Sequence, residues 1–326
     1  MRVVANRTKE KESMSKTKLK AVSRTQGNNQ ALKEAAVTLL DFDLEFEEVP
    51  VLVHAFRRMV RELAYDVCEM ALTTYICAKA HGVKFTALPI FPVRDFHHGA
   101  ILHHVPSGLV SPADLAGKRV GVNRGYTVTT GVWARSIIQD EYGVDLASVT
   151  WAPSGDEHVA AYEAPANVVP LEDGDLEGRL SSGDVVAAVG AKFAHADVAP
   201  MIEDPFAAGV SALKTRGFYP INHLVVVRDQ VLEETPEIAV QLFDAFAASK
   251  KIYVDELKAG RISEPGPLDK VHLAVLEFMD DPLPYGIAPN RKTLEGLIAH
   301  AVTQKIIPKP MTLEELFAAP VIDSVG

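Results

Sequence analysis

RVGVNRGYTVTTG, residues 119–131, is the stretch on which the fold turns. Its first four residues read as a short buried strand, and Asn123-Arg124-Gly125-Tyr126 as a glycine-bearing loop. Thr127, Thr129 and Thr130 sit where a helix begins, and that helix runs from about residue 128 to 142 and stops at Gly143. Free backbone N–H groups, hydroxyls and the positive end of the helix together make a ready anion site. A plain helix cap with threonines as filler explains the same residues. The segment lacks the lysine of a phosphate-binding loop and the three-glycine dinucleotide fingerprint, which disfavours a nucleotide.

The flanking sequence repeats this strand-then-helix unit. Strand patterns fall at 19–24, 42–49, 66–71 and 85–91, with helices predicted over 30–40, 53–63 and 73–80. Further strands are expected at 100–104, 149–152, 185–189 and 222–227, and helices at 176–181 and 236–257. Such alternation predicts an α/β chain with mainly parallel sheets flanked by helices. A strand pattern that returns near 222 after a separate α/β unit implies that the chain crosses twice between two lobes. Residues 19–98 with 222–326 form the expected first lobe and 99–221 the second, with a cleft for a small anion between them.

Composition narrows the ligand class. The chain has 326 residues, 48% hydrophobic and 23% charged, with a formal net charge of −10. Residues 1–24 hold eight of the basic groups against two acidic ones, leaving 25 basic and 41 acidic groups beyond, a net of −16. That balance argues against nucleic acid as a partner, because phosphate binding needs concentrated Lys and Arg. Residues 1–18 are polar and basic and read as a disordered extension, with Met14 an alternative start. No apolar h-region and no run of about 20 apolar residues is present, which points to the cytoplasm and away from a membrane. Cys68 and Cys77 are too few for a disulfide framework and read as core residues. The oligomeric state, including a homo-oligomer, stays open.

Several other residues carry chemistry. Arg94-Asp95-Phe96-His97-His98 offers an arginine for a carboxylate and a histidine for proton exchange. Adjacent histidines on a strand point to opposite faces, so at most one of His97 and His98 meets a ligand. A solvated crossing segment is the plainer reading. His103 and His104 lie nearby, but adjacent pairs lack common zinc spacing, so a metal is not indicated. Ser154-Gly155-Asp156-Glu157-His158 follows a strand; an acidic helix start accounts for all but His158. His223 opens an apolar strand and Glu69 interrupts another; each is either a satisfied core group or a cleft residue.

The runs RVGVNRGYTVTTGVWARSIIQDEYGVD (119–145), FPVRDFHHGAI (91–101) and DPLPYGIAPNRKTLEGLI (281–298) resemble the 4,5-dihydroxyphthalate decarboxylase family. The resemblance extends from about residue 19 to 317. It implies a type II periplasmic-binding-protein-like fold, two α/β lobes joined by two crossover strands. Two features depart from the pattern. The loop after the first strand reads Arg24-Thr25-Gln26-Gly27-Asn28-Asn29 rather than an Asp-Tyr-Asp type, and the crossing segment reads Phe96-His97-His98-Gly99 rather than an Arg-His-Ser type.

The resemblance further implies a small anionic aromatic substrate and a decarboxylation that needs no cofactor, because a phenol para to the carboxylate serves as the electron source. On that reading His97, His158 and His223 are the acid and base candidates, with Glu69 as orienter. Arg24, Arg94, Arg124, Tyr126, Thr127, Thr129 and Thr130 are the candidates for holding substrate. The alternative is a solute-binding protein for an aromatic or other small organic acid.

Overall fold

The computed structural model describes residues 16–326. Its first sheet begins with strands β1 (Thr17–Val22), β2 (Phe42–Phe46), β3 (Val67–Ala71) and β4 (Phe85–Arg94). The second holds β5 (Ile101–His104), β6 (Arg119–Val122), β7 (Thr150–Pro153), β8 (Ala187–Val189) and β9 (Val198–Pro200), and β10 (Ile221–Arg228) returns to the first. The spatial orders are β2-β1-β3-β10-β4 and β7-β6-β8-β5-β9. β10 runs antiparallel to both β3 and β4, and β5 antiparallel to both β8 and β9. Each sheet is therefore four co-directional strands with one reversed strand, and the reversed strand is the one that has just crossed over.

Most of the expected extension, residues 1–15, lies outside the described residues. Thr17 and Lys18, also assigned to it, belong to β1, where they pair with Phe42 and Asp43 of β2. Backbone pairing at a sheet edge does not require apolar side chains, and Lys18 stays outside with Glu45 at 2.5 Å. The helix expected over 30–40 is instead Gly27–Lys33, designated α1, and it stops where Ala35 turns left-handed at φ 58°. Strand β9 and the helix Pro205–Arg216 had no clear pattern in the sequence.

Three more helices shape the space between the sheets: α2 (Leu52–Glu62), α3 (Leu72–Ala80) and α4 (Thr129–Tyr142). Helix α4 follows β6 of the second sheet, yet it is bolted to the first. Thr73 of α3 donates its N–H to Thr129 Oγ1 at 3.0 Å and its hydroxyl to the Thr127 carbonyl at 2.6 Å. The two hydroxyls lie 2.9 Å apart, so Thr129 donates to Thr73 Oγ1. Trp133 Nε1 donates to the Ile221 carbonyl at 3.0 Å, and buried Arg135 reaches Gln304 at 2.7 Å. A second tie comes from α2, where Arg61 meets Asp156 at 3.1 Å and donates to the Glu157 and His158 carbonyls, while Arg57 also binds Asp156. Among the described residues no helix is long and apolar enough to cross a membrane.

Thr73→Val leaves the Thr127 carbonyl without its buried hydroxyl donor and the Thr129 hydroxyl proton without its acceptor, while the backbone N–H of residue 73 still donates to Thr129 Oγ1. A loss of about 1–3 kcal/mol in unfolding free energy is expected, read as a lower midpoint in urea with an unchanged slope.

Candidate active site

The carboxyl ends of co-directional strands are where open α/β sheets bind ligands. Here both sheets turn those ends toward one cleft of about 890 Å³, within the range of small-molecule sites. The loop after β1 supplies residues 24–28, the entry to α2 supplies 49–53, and β4 with its extension supplies Val93, Asp95 and His97. Opposite lie Asn123, Arg124 and residues 128–130 after β6, His158 after β7, and Gly190 and Lys192 after β8. Because β10 is reversed, its beginning, Asn222 and His223, reaches the same place.

His223 and Glu69 form the most defined pair. Glu69 sits on the wholly buried strand β3 opposite Val225, so Glu69 and His223 are diagonal neighbours on one sheet face. His223 Nδ1 lies 2.6 Å from Glu69 Oε1. The other carboxylate oxygen accepts from Ser23 Oγ at 2.6 Å and from the Arg24 N–H at 3.1 Å. Burial pushes the Glu69 carboxyl upward, but the His223 hydrogen bond and charge, the Ser23 hydroxyl and the Arg24 charge together hold it below its ordinary value. With Nδ1 committed, Nε2 is the nitrogen of His223 left to exchange a proton. Glu69 itself does not line the cleft; it stands behind His223.

His97 and His158 line the cleft as buried, neutral rings. His97 Nε2 donates to Asn222 Oδ1 at 3.0 Å, leaving Nδ1 without a partner. His158 Nδ1 meets Thr74 Oγ1 at 3.0 Å, and its Nε2 has no partner. Burial lowers the pKa of each to about 4. For His158 the guanidinium groups of Arg57, Arg124 and Arg61 push in the same direction. Phe56 sets its ring edge-on to both His158 and His223. His98 points elsewhere and bonds Glu141 at 3.1 Å. The pair lies not on a strand but at the start of the 3-10 helix His98–Ala100, so the turn and not strand alternation separates the two rings. That separation, with His104 bonded to Ser107, keeps the four neighbouring histidines from converging.

The anion-binding candidates divide. Arg24 and Arg124 line the cleft, and neither is in an ion pair with another of the described residues. Burial and repulsion from Arg57 both disfavour the Arg124 charge, so an incoming carboxylate relieves it. Thr130 lines the cleft beside the first turn of α4, whose leading N–H groups have no intrahelical partner. Thr129 lines it too, but its hydroxyl is engaged with Thr73.

Tyr126 and Thr127 do not line the cleft. Their N–H groups and the Thr127 hydroxyl all donate to the Glu157 carboxylate, and the Tyr126 ring stacks on Arg135 with 3.9 Å to its centroid. Arg94 is also a correction. Alternation along β4 sends Val93 to the cleft and residue 94 the other way. The Arg94 guanidinium is buried against the carbonyls of Tyr219 (3.0 Å) and Pro284 (2.9 Å) and against Asn290.

Sequence reasoning missed a further group. Asn28, Lys192, Tyr253, Asp269 and His272 all line the cleft. Lys192 and Asp95 pair at 3.1 Å. Tyr253 and His272 lie inside apolar helical stretches, and only their shared polar contacts mark them. Among the described residues no cluster of His, Cys, Asp or Glu is arranged to hold a metal ion.

The two sheets and the cleft between them have the type II periplasmic-binding-protein-like fold. Accordingly, the periplasmic aliphatic sulphonate binding protein SsuA from Escherichia coli superposes with a TM-score of 0.52 at 13% identity, over 94% of this chain and 92% of that one. More particularly, the chain is similar to curated proteins named 4,5-dihydroxyphthalate decarboxylase. The one from Comamonas testosteroni is 28% identical over 310 residues, covering 88% of this chain and 94% of the relative. The one from Pseudomonas putida is 34% identical over 165 residues, 46% of this chain and 64% of the relative. No family model matches the chain.

The buried rings give the protein a definite acid response. His97, His158 and His272 are each held near pKa 4 by burial, whereas an unfolded histidine titrates near 6.5. The unfolded chain therefore takes up protons that the native state refuses, and stability present above pH 6.5 drains away as pH falls toward 4. Each ring contributes on the order of 3 kcal/mol to that loss. Glu69, with its lowered pKa, contributes stability above the ordinary carboxyl range that is lost at still lower pH. Urea midpoints measured from pH 7.5 to 4.5 should fall steadily; a flat profile would contradict the buried neutral rings.

Proposed function

We propose that this chain is a decarboxylase that converts 4,5-dihydroxyphthalate to 3,4-dihydroxybenzoate and carbon dioxide by ring protonation. The observation that carries the reading is the Glu69–His223 pair, which leaves one histidine nitrogen available in a cleft that also holds Arg24 and Arg124, neither in an ion pair with another of the described residues. The relatives named for this reaction support the choice of substrate.

The substrate is a dianion with adjacent ring carboxylates, each para to a hydroxyl. Arg24, Arg124, the first turn of α4 and the Thr130 hydroxyl hold the carboxylates. As a phenol gives up its proton, electron density moves to the para carbon that bears a carboxylate. His223, protonated and steadied by Glu69, delivers a proton from Nε2 to that carbon. The carbon–carbon bond to the carboxylate then breaks, carbon dioxide leaves, and its bonding pair restores the aromatic ring. The phenol itself is the electron source, so the sequence of steps balances without a cofactor. Neutral His97 and His158 hold the rest of the ring by accepting or donating hydrogen bonds, without adding charge. We place the reaction in the cytoplasm, consistent with two free buried cysteines.

Incubation with 4,5-dihydroxyphthalate should release carbon dioxide and 3,4-dihydroxybenzoate. In heavy water the product should carry one deuterium at the ring carbon that lost its carboxylate. His223→Gln should lower kcat by roughly 10²–10⁴-fold, with a much smaller change in substrate affinity. Tight binding of the substrate without turnover by the unaltered protein would sink the reading and leave a solute-binding protein for aromatic acids.

A separate measurement concerns the cations. Replacing both Arg24 and Arg124 with Gln should raise KM at least tenfold while kcat changes little, because these groups hold the carboxylates before and during the reaction alike.

A further inference from the structure

One wall of the cleft carries buried polar atoms without partners: the Gln26 amide, with both its Nε2 donor and its Oε1 acceptor unpaired, and two further acceptors at Asn28 and His272. Asn28 follows Gly27 at the start of α1; its Nδ2 donates to the Pro92 carbonyl at 2.9 Å, and its buried Oδ1 has no partner. Gly27 packs directly on the Tyr253 ring, so closely that a Cβ there would lie 2.4 Å from Cδ2. Tyr253 belongs to the long helix Ile238–Lys258, and its hydroxyl lies 2.5 Å from Asp269 Oδ1 and 2.8 Å from His272 Nδ1. Asp269 Oδ2 accepts the Gly266 N–H at 2.8 Å.

With the Asp269 oxygen as acceptor the Tyr253 hydroxyl donates to it, and His272 Nδ1–H donates to the Tyr253 oxygen. His272 Nε2 is then a bare lone pair, on a ring only 1% exposed, without a partner. Two buried acceptors without donors on one wall are costly unless a ligand supplies the hydrogens. Phenolic hydroxyls are donors of the required kind, and a carboxylate is not.

Resting on the decarboxylase reading, we propose that Asn28 and the Asp269–Tyr253–His272 relay form the hydroxyl-reading end of the cleft, and that the relay withdraws the phenol proton during turnover. The phenol proton passes to His272 Nε2, the Nδ1 proton to the Tyr253 oxygen, and the Tyr253 proton to Asp269, which lies part-exposed at the cleft rim. The phenolate pair enters the ring as His223 protonates the para carbon. When carbon dioxide leaves and the ring regains aromaticity, the proton returns along the same path to the oxygen. His272 touches the substrate; Tyr253 and Asp269 act through it as positioning residues.

The test uses Tyr253→Phe, which keeps the ring on Gly27, and Asp269→Asn, which keeps the acceptor for Gly266. Calorimetric binding is measured for 4,5-dihydroxyphthalate and for phthalate, which has the carboxylates but no hydroxyls. Tyr253→Phe should weaken the dihydroxylated ligand roughly tenfold and leave phthalate binding unchanged. Asp269→Asn should lower kcat by about 10²-fold near neutral pH, with activity recovering as pH rises toward the phenol's own ionisation. If both variants bind the two ligands in the wild-type ratio and keep the wild-type pH profile, the relay has no such role. Wild-type protein that discriminates between the ligands without decarboxylating either would overturn the enzyme reading while keeping the hydroxyl-reading wall.

Discussion

The direction of β10 is the constraint on which the site depends. A chain that leaves one sheet, builds another and returns must re-enter between β3 and β4, and it does so antiparallel to both. That reversal brings the beginning of β10 to the edge where its neighbours end. Asn222 thereby meets His97, and His223 meets Glu69, although the members of each pair are more than a hundred residues apart in sequence. Had β10 run the other way, Arg228 would stand at the cleft edge in place of Asn222 and His223, and the Glu69–His223 pair would not form.

The polarity of the cleft follows from the same construction. Donors occur where α4 begins and at Arg24 and Arg124, and unpaired lone pairs occur at Asn28, His97, His158 and His272. Keeping the buried rings neutral is what allows those lone pairs to persist, since a protonated ring has none. On the proposed reading, a ligand that carries both carboxylates and phenols meets both kinds of group.

Much of the architecture was legible in the sequence because it rests on local rules. Alternation in 119–122, the glycine-bearing loop after it and the helix ending at Gly143 could be read directly, and so could the return strand near 222. Residues on cleft-facing ends, such as His97, His158, His223 and Arg124, were found for the same reason. What failed depended on partners distant in sequence. Arg94 looked like a ligand clamp because its carbonyl partners, at Tyr219 and Pro284, lie 125 and 190 residues away. Thr127 looked like an anion donor because nothing local reveals that Glu157 already occupies it. Tyr253 and His272 hid inside apolar helical periodicity, and no spacing rule joins them to Asn28.

The Glu157 carboxylate has a consequence for selectivity. It saturates the donors of residues 126 and 127 from within the chain, so the loop after β6 is ordered before any ligand arrives. A ligand then bears little of the entropy of arranging that loop. The same fixed negative charge crowds out a second, larger anion. A phosphate ester seeking several N–H groups at this turn would meet a carboxylate already in place, and like charges at close range reject it. On the proposed reading, a residue outside the cleft lining thus disfavours phosphate esters relative to planar acids whose charge fits at the rim of α4.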